Sequence, residues 1–150
     1  LLMNNKNYSW VEKYRPENLS EISAQTNVIK SLKSALHTKN IPHLIFFGPS
    51  GCGKTSTILA LSKELFGHEN YADRIIELNA SDERGINVIR EKIKKYAKQS
   101  VNNIKDIPSW KIIILDEADN MTPDSQCALR RIMEEYSSIT RFCIICNYYK

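Results

Sequence analysis

The sequence lacks long apolar runs. Within its 150 residues, uninterrupted apolar stretches stay short, as at 112–115, whereas a membrane-spanning helix needs roughly 20 such residues. It also lacks the basic start and the apolar stretch of about 7 to 15 residues that mark a secretory signal, because a short apolar start gives way at once to Asn4, Asn5 and Lys6. We therefore expect a chain that crosses no bilayer and stays in a reducing compartment.

Glycine and proline are scarce, with five of each, and the chain has no internal repeat and no low-complexity tract. This composition excludes collagen-like and low-complexity chains. With 42% hydrophobic and 25% charged residues, the sequence is typical of a globular protein, and its length fits about one domain. The net charge of +4 is modest, so its placement along the chain matters more than its size.

Cysteines are few and irregularly spaced. They are Cys52, Cys127, Cys143 and Cys146. The last two have C-x-x-C spacing, but they lie in a predicted strand, where side chains three residues apart point to opposite faces. No second C-x-x-C follows, and the three histidines are not spaced as zinc partners. Buried, inert thiols are therefore favoured over a metal site.

Apolar runs alternate with helical patterns along the chain, which predicts an α/β fold with a parallel sheet and crossover helices. The expected strands are 43–47, 74–78, 111–115 and 141–146. The expected helices are 27–37, 54 to about 66, about 85 to 98, and 123–136. Residues 1–9 are expected to form an irregular or disordered N-terminal arm, and 10–150 the α/β core.

The strongest motif lies between the first predicted strand and the helix that follows it. It fits G-x-x-x-x-G-K-[ST] in full, with the residues Gly48, Pro49, Ser50, Gly51, Cys52, Gly53, Lys54 and Thr55. Glycines let backbone N–H groups point at phosphate oxygens, and the helix adds the positive end of its dipole. Lys54 can then reach the β- and γ-phosphates, and the Thr55 hydroxyl can bind Mg²⁺. The alternative is a glycine-rich turn with a chance lysine.

A pair of acidic residues, Asp116 and Glu117, ends the apolar run at 112–115. Ligands bind at the carboxyl edge of open α/β sheets, so Asp116 is expected to hold Mg²⁺. Glu117 is expected to polarise a water for in-line attack on the γ-phosphate. The alternative is an acidic turn in which Asp119 caps a helix.

Asn147 directly follows the last apolar run. Because parallel strands end at the same edge, its amide is expected to reach the γ-phosphate or the attacking water. The alternative is an asparagine that only begins a turn.

A basic stripe is predicted on the helix that ends near Lys98. Between residues 84 and 98, six basic residues accompany a single acidic one, Glu91. Arg90, Lys94 and Lys98 are spaced by four residues and therefore share one helical face. Such a stripe suits a phosphate backbone, although a solvated helix face is the alternative reading.

Several long strings in the sequence are distinctive. They are WVEKYRP (10–16), PHLIFFGPSGCGKTS (42–56), ELNASDERGI (77–86), ILDEAD (114–119), ALRR (128–131) and TRFCIICNY (140–148). Together they resemble a known family, the small subunits of replication factor C, the eukaryotic sliding-clamp loader, which is a branch of the AAA+ ATPases. The family loop reads GPPGTGKT, so Ser50 and Cys52 depart from it, and a looser loop that still binds is expected.

The resemblance implies a three-layer P-loop NTPase (AAA+) fold with ATP and Mg²⁺ as cofactors. It implies that Val11 and Arg15 line the adenine and ribose side, that Ser56 belongs to the nucleotide site, and that Asn147 is the first sensor. Arg84 and the helix after it would face primer-template DNA. The implied partners are other replication factor C subunits and the sliding clamp, in the nucleus.

The resemblance further implies an ATPase that works in the assembled complex. The lid and collar domains, and the arginine that completes a neighbour's site, would lie beyond Lys150, so the core is expected to be truncated after the first sensor and nearly inactive alone. Two other readings remain. One is a nucleotide-binding scaffold without turnover, which Asp116 and Glu117 argue against. The other is a DEAD-type RNA helicase, whose remaining motifs are not visible.

Overall fold

A computed structural model describes residues 9–22, 26–81 and 86–148. The strands are β1 (Leu44–Phe47), β2 (Ile75–Asn79), β3 (Lys111–Asp116) and β4 (Thr140–Cys146). The helices are α1 (Trp10–Lys13), α2 (Thr26–Thr38), α3 (Lys54–Phe66), α4 (Tyr71–Arg74), α5 (Ile86–Lys98) and α6 (Pro123–Tyr136). Two short 3-10 turns lie at Leu19–Glu21 and Ala118–Asn120.

The strands form one sheet in the order β1-β4-β3-β2, and every neighbouring pair is parallel. The predicted parallel sheet with crossover helices is confirmed. The expected strand start at 74 was one residue early, because Arg74 ends α4 and is buried. Its guanidinium donates to the carbonyls of Pro108 (2.9 Å) and Asn102 (2.5 Å), so it anchors the segment that leads to β3.

Apolar side chains cover both faces of the sheet. From Ile112 to Leu115, β3 is fully buried, as expected for an inner strand of a parallel sheet with helices on both sides. On one face, Ile112 and Ile114 pack in a cluster with residues of α2 and α3. On the other face, Ile113 and Leu115 pack with residues of α5 and α6. The result is the three-layer α/β arrangement that the sequence predicts.

The cysteines only partly follow their prediction. Cys143 is buried beside Ile112, whereas Cys146 lines a groove on the opposite face of the sheet with Ile144, so the expected divergence of the two thiols is confirmed. The interpretation as buried core cysteines was wrong for Cys52 and Cys127, which are exposed. The loop and the outer face of α6 place these two side chains in solvent.

The described ranges contain neither a metal-binding cluster nor a membrane-spanning helix. Within 9–22, 26–81 and 86–148, no group of three or more histidine, cysteine, aspartate or glutamate side chains is arranged to hold a metal ion. Among those residues, no helix has both the length and the apolar character needed to cross a bilayer.

Candidate functional site

The glycine-rich loop connects β1 to α3 at the carboxyl edge of the sheet. Gly51 and Gly53 have φ values of 79° and 88°, a region that favours glycine. Gly48 has φ 151°, and a Cβ there would lie 3.1 Å from the Cys52 sulfur. The loop conformation therefore depends on its glycines, and it ends directly at Lys54, the first residue of α3.

The Lys54 ammonium group lies over this loop. Its Nζ donates to the carbonyl oxygens of Gly48 (2.6 Å) and Pro49 (2.9 Å). It also lies 3.1 Å from Oδ1 of Asn147, which follows β4. Residues 93 positions apart in the sequence therefore meet, because β4 is the direct neighbour of β1.

Thr55 and Asp116 also meet at this edge. The Thr55 hydroxyl donates to Asp116 Oδ2 at 3.0 Å, and Asp116 Oδ1 accepts from the Glu117 backbone N–H at 2.8 Å. A hydroxyl and a carboxylate side by side are the oxygen ligands that Mg²⁺ prefers. The residues present therefore fit this ion.

Glu117 has a left-handed backbone, with φ 53° and ψ 38°. This conformation is uncommon for a residue other than glycine and costs of order 1–3 kcal/mol. It turns the chain sharply away from β3, and the half-buried Glu117 side chain lines a groove of about 1270 Å³ together with Asn147. The expected base and the expected sensor thus share one groove.

Both departures from the family loop make contacts inside this site. Ser50 Oγ donates to Asn147 Oδ1 at 3.4 Å, and the Cys52 sulfur lies 3.9 Å from Lys54 Nζ. Close to them, burial and the Asp119 carboxylate raise the pKa of the Cys146 thiol, whereas the Lys54 ammonium acts in the opposite direction. The site therefore combines positive and negative groups within one partly buried edge.

Comparison with known proteins places this site in a family. The model of the ATPase family associated with various cellular activities (AAA) matches residues 44–150. This chain belongs to the AAA family. The matched range contains the loop, both acidic residues and Asn147, so the AAA model covers every group described above.

Among its AAA relatives, this chain is most informatively compared with replication factor C subunits. It is 57% identical over 93% of its length to replication factor C subunit 2 of Saccharomyces cerevisiae, of which it covers 41%. It is 54% identical over 93% of its length to replication factor C subunit 4 of Homo sapiens, of which it covers 39%. The resemblance to small subunits of replication factor C is confirmed, and the chain spans about two fifths of the length of these relatives.

Two solved structures of low sequence identity share the fold. A RuvB variant from Thermotoga maritima aligns with a TM-score of 0.62 at 19% identity, covering 91% of this chain and 42% of that one. The Orc1 protein of Aeropyrum pernix in complex with DNA aligns with a TM-score of 0.58 at 18% identity, covering 90% and 41%. At such low identity these likenesses support the three-layer fold alone.

Three other predicted site residues lie in the first turn of α3, just after α1 and within α1. Ser56 is half-buried in the first turn of α3, and Arg15 is half-buried just after α1. Val11 belongs to α1, but its side chain is outside the described part of the chain. The assignment of Val11 and Arg15 to the adenine and ribose side stays a prediction.

The predicted DNA stripe lies on α5, away from the loop in sequence. Arg90 and Lys94 are half-buried and Lys98 is exposed. Ile93 and Ala97, on the apolar side of α5, are buried in the core. Arg84 lies outside the described residues. The assignment of this stripe to DNA stays a prediction.

One group in the AAA site was missed by sequence reasoning. Asp119 was considered only as a helix cap, but α6 is capped by Thr122, whose Oγ1 accepts from the Ser125 N–H at 3.3 Å. The Asp119 carboxylate instead accepts from the backbone N–H of Asn147. The available signals were an acidic residue close after Glu117 and its place in the ILDEAD string, and neither of them identifies its partner.

Proposed function

We propose that this chain is the ATP-binding and ATP-hydrolysing core of a subunit of the DNA sliding-clamp loader, which opens the clamp and loads it onto primer-template DNA. One observation carries the ATPase part of the proposal. Lys54, the Thr55–Asp116 pair and Asn147 meet at one sheet edge beside the glycine-rich loop. The clamp-loader part is supported by relatives named replication factor C subunits.

The loop and α3 bind the phosphates in this proposal. Backbone N–H groups of Gly48, Pro49, Ser50, Gly51, Cys52 and Gly53, with the amino end of α3, surround the anionic chain. Lys54 neutralises the β- and γ-phosphates, and Ser56 belongs to the same first turn. Thr55 and Asp116 hold Mg²⁺, which supplies charge neutralisation at the phosphates when bound.

Glu117 and Asn147 act on the attacking water. The Glu117 carboxylate accepts a proton as the water attacks in line, which is general base catalysis. The Asn147 amide lies beside Lys54, so it can orient the water or contact the γ-phosphate. Val11 and Arg15 are assigned to the adenine and ribose side.

The proposed partners follow from the relatives and from charge. They are the other replication factor C subunits, the sliding clamp and primer-template DNA, and the proposed location is the nucleus. Arg90 and Lys94 are assigned to the DNA phosphates, because α5 packs its apolar side inward and leaves these two basic side chains half-buried at its surface. Arg84, which lies outside the described residues, is assigned with them on the family resemblance. Contacts of this kind track the backbone without reading base edges.

Two variants test the ATPase site in the full-length subunit assembled with its partners. Lys54→Ala is expected to weaken ATP binding by about tenfold to 100-fold, since a hydrogen bond to a charged group is worth roughly 1.5–3 kcal/mol. Glu117→Gln is expected to keep the affinity and to lower turnover by about 10²–10⁴, the usual contribution of a general base. Calorimetry measures the affinity, and phosphate release measures turnover.

Lys63→Ala is the matched control, because Lys63 lies on the same helix and its ammonium contacts the Tyr71 ring. It is expected to leave both quantities unchanged. Equal ATP affinity for the wild type and Lys54→Ala would refute the phosphate site. Binding without turnover in the wild-type complex would instead identify a nucleotide-binding scaffold.

A further inference from the structure

Asp119 joins the two strand ends that carry the expected base and sensor. It lies in the 3-10 turn Ala118–Asn120 that follows Glu117. Its two carboxylate oxygens accept from the Asn147 backbone N–H at 2.9 and 3.1 Å, and one of them lies 3.5 Å from the Tyr148 N. A side chain that follows β3 thus holds the backbone that follows β4.

The backbone N–H of Asn147 lies beyond the last residue pair of β3 and β4, so it can donate a hydrogen bond to Asp119. The pairing of β3 with β4 runs up to Leu115 and Ile144, and the left-handed Glu117 then turns the chain away from the sheet. On the other side of β4, the Cys146 carbonyl accepts from the Gly48 N–H at 3.3 Å. The peptide that links residues 146 and 147 is therefore held between the glycine-rich loop and Asp119.

Two further hydrogen bonds extend this arrangement to the reacting groups. Asn147 Oδ1 lies 3.1 Å from Lys54 Nζ, so a backbone shift at Asn147 would move its amide relative to the phosphates. The Asn120 N–H donates to the Glu117 carbonyl at 3.1 Å, which closes the turn that carries Asp119. The backbones of Glu117 and Asn147 are thus connected through one short turn.

We propose that Asp119 is a positioning residue for the ATPase reaction: it holds the Asn147 amide at the γ-phosphate and couples its place to that of Glu117. This inference rests on the proposed ATPase function. Asp119 is exposed, so water screens its charge. It therefore acts through the geometry of its hydrogen bonds, and a neutral acceptor of the same shape can replace it.

The test uses the full-length subunit assembled with its partners, and it compares single variants and one double variant with the wild type. Asp119→Ala is expected to lower kcat by about tenfold or more, because a displacement of about 1 Å can cost up to 100-fold, while the ATP dissociation constant changes less than about twofold. Asp119→Asn keeps an acceptor oxygen and is expected to retain most of kcat. Because Asp119 acts through Asn147, adding Asp119→Ala to Asn147→Ala is expected to lower kcat no further.

Asp124→Ala is the matched control, since Asp124 is another exposed aspartate in the same region, in the first turn of α6. It is expected to keep wild-type kcat. Additive losses in the double variant, or a loss of affinity and kcat together in Asp119→Ala, would overturn the positioning role. Full kcat in Asp119→Ala with a low kcat in Asn147→Ala would refute this inference alone. Full kcat in both Asn147→Ala and Glu117→Gln would refute the proposed function itself.

Discussion

At the scale of single residues, Cys52 provides a chemical probe of the glycine-rich loop. It is exposed, and its sulfur lies 3.9 Å from the Lys54 ammonium nitrogen. Cys127 is exposed on α6 and supplies an internal reference. Cys143 is buried, and burial raises the pKa of its thiol, followed by a smaller effect of Asp116. The three thiols therefore differ in access, and burial makes the reactive thiolate harder to form at Cys143.

We predict that iodoacetamide modifies Cys52 and Cys127 in the folded protein and reaches Cys143 only after denaturation. ATP with Mg²⁺ is expected to slow the modification of Cys52 without changing that of Cys127, because only the first lies in the loop that would surround the phosphates. Peptide mass spectrometry at several times measures both rates. Equal rates at Cys52 with and without ATP would contradict the proposed site.

At the scale of elements, Lys111 links β3 to α5. Its side chain is almost fully buried, at 1% exposure, and its ammonium donates to the carbonyls of Tyr96 and Gln99 near the end of the helix. It also lies 4.4 Å from the centre of the Tyr96 ring. Burial, followed by the nearby Arg74, lowers the pKa of Lys111. A strand residue thus binds one carbonyl in the last turn of α5 and one just after the helix.

We predict that Lys111→Met lowers the free energy of unfolding by about 2 kcal/mol, since hydrogen bonds to a charged group contribute roughly 1.5–3 kcal/mol. Lys95→Met is the control, because Lys95 lies exposed on the same helix, and it is expected to change stability by less than about 0.5 kcal/mol. Urea denaturation measures both. Equal stabilities of the two variants would contradict the capping role of Lys111.

At the scale of the whole molecule, the sheet connects the nucleotide edge to the basic helix. Ile93 and Ala97 of α5 are buried in the same cluster as Ile113 and Leu115 of β3. The strand that carries Asp116 therefore also supports the helix that carries Arg90. The parallel sheet gives both surfaces one common support, as the proposed response to both nucleotide and DNA would require.

We predict that the double variant Arg90→Gln/Lys94→Gln flattens the salt dependence of primer-template binding by the assembled loader. Each lost phosphate contact removes about 0.9 from the log–log slope on duplex DNA, so the slope should fall by about two units for every DNA sequence. ATP affinity should not change. The measurement is the DNA affinity at several salt concentrations.

The control for the salt experiment is Lys30→Gln/Lys33→Gln on α2, which removes the same charge from exposed positions. Its slope is expected to match that of the wild type. If the Arg90 and Lys94 variant also keeps the wild-type slope, the stripe is a solvated helix face.

Sequence patterns predicted the local elements well, because their signals are local. The helix at 123–136 was predicted with Pro123 near its first turn, and both ends match the structure. In contrast, Lys111 and Arg74 precede apolar runs and resemble ordinary surface residues in the sequence. Their burial depends on carbonyls from segments that lie 12 to 36 residues away along the chain, which no local pattern reveals.

The sequence by itself determined the glycine-rich loop and the acidic strand end, since each is a contiguous motif whose chemistry depends on neighbouring residues. It also predicted a parallel sheet, because buried strands alternate with amphipathic helices. The tertiary structure alone decided the strand order. By placing β4 between β1 and β3, it brings Asn147 to Lys54 and gives Asp119 its partner. Apolar periodicity shows that a strand is buried, but pairing depends on the packing of all layers together.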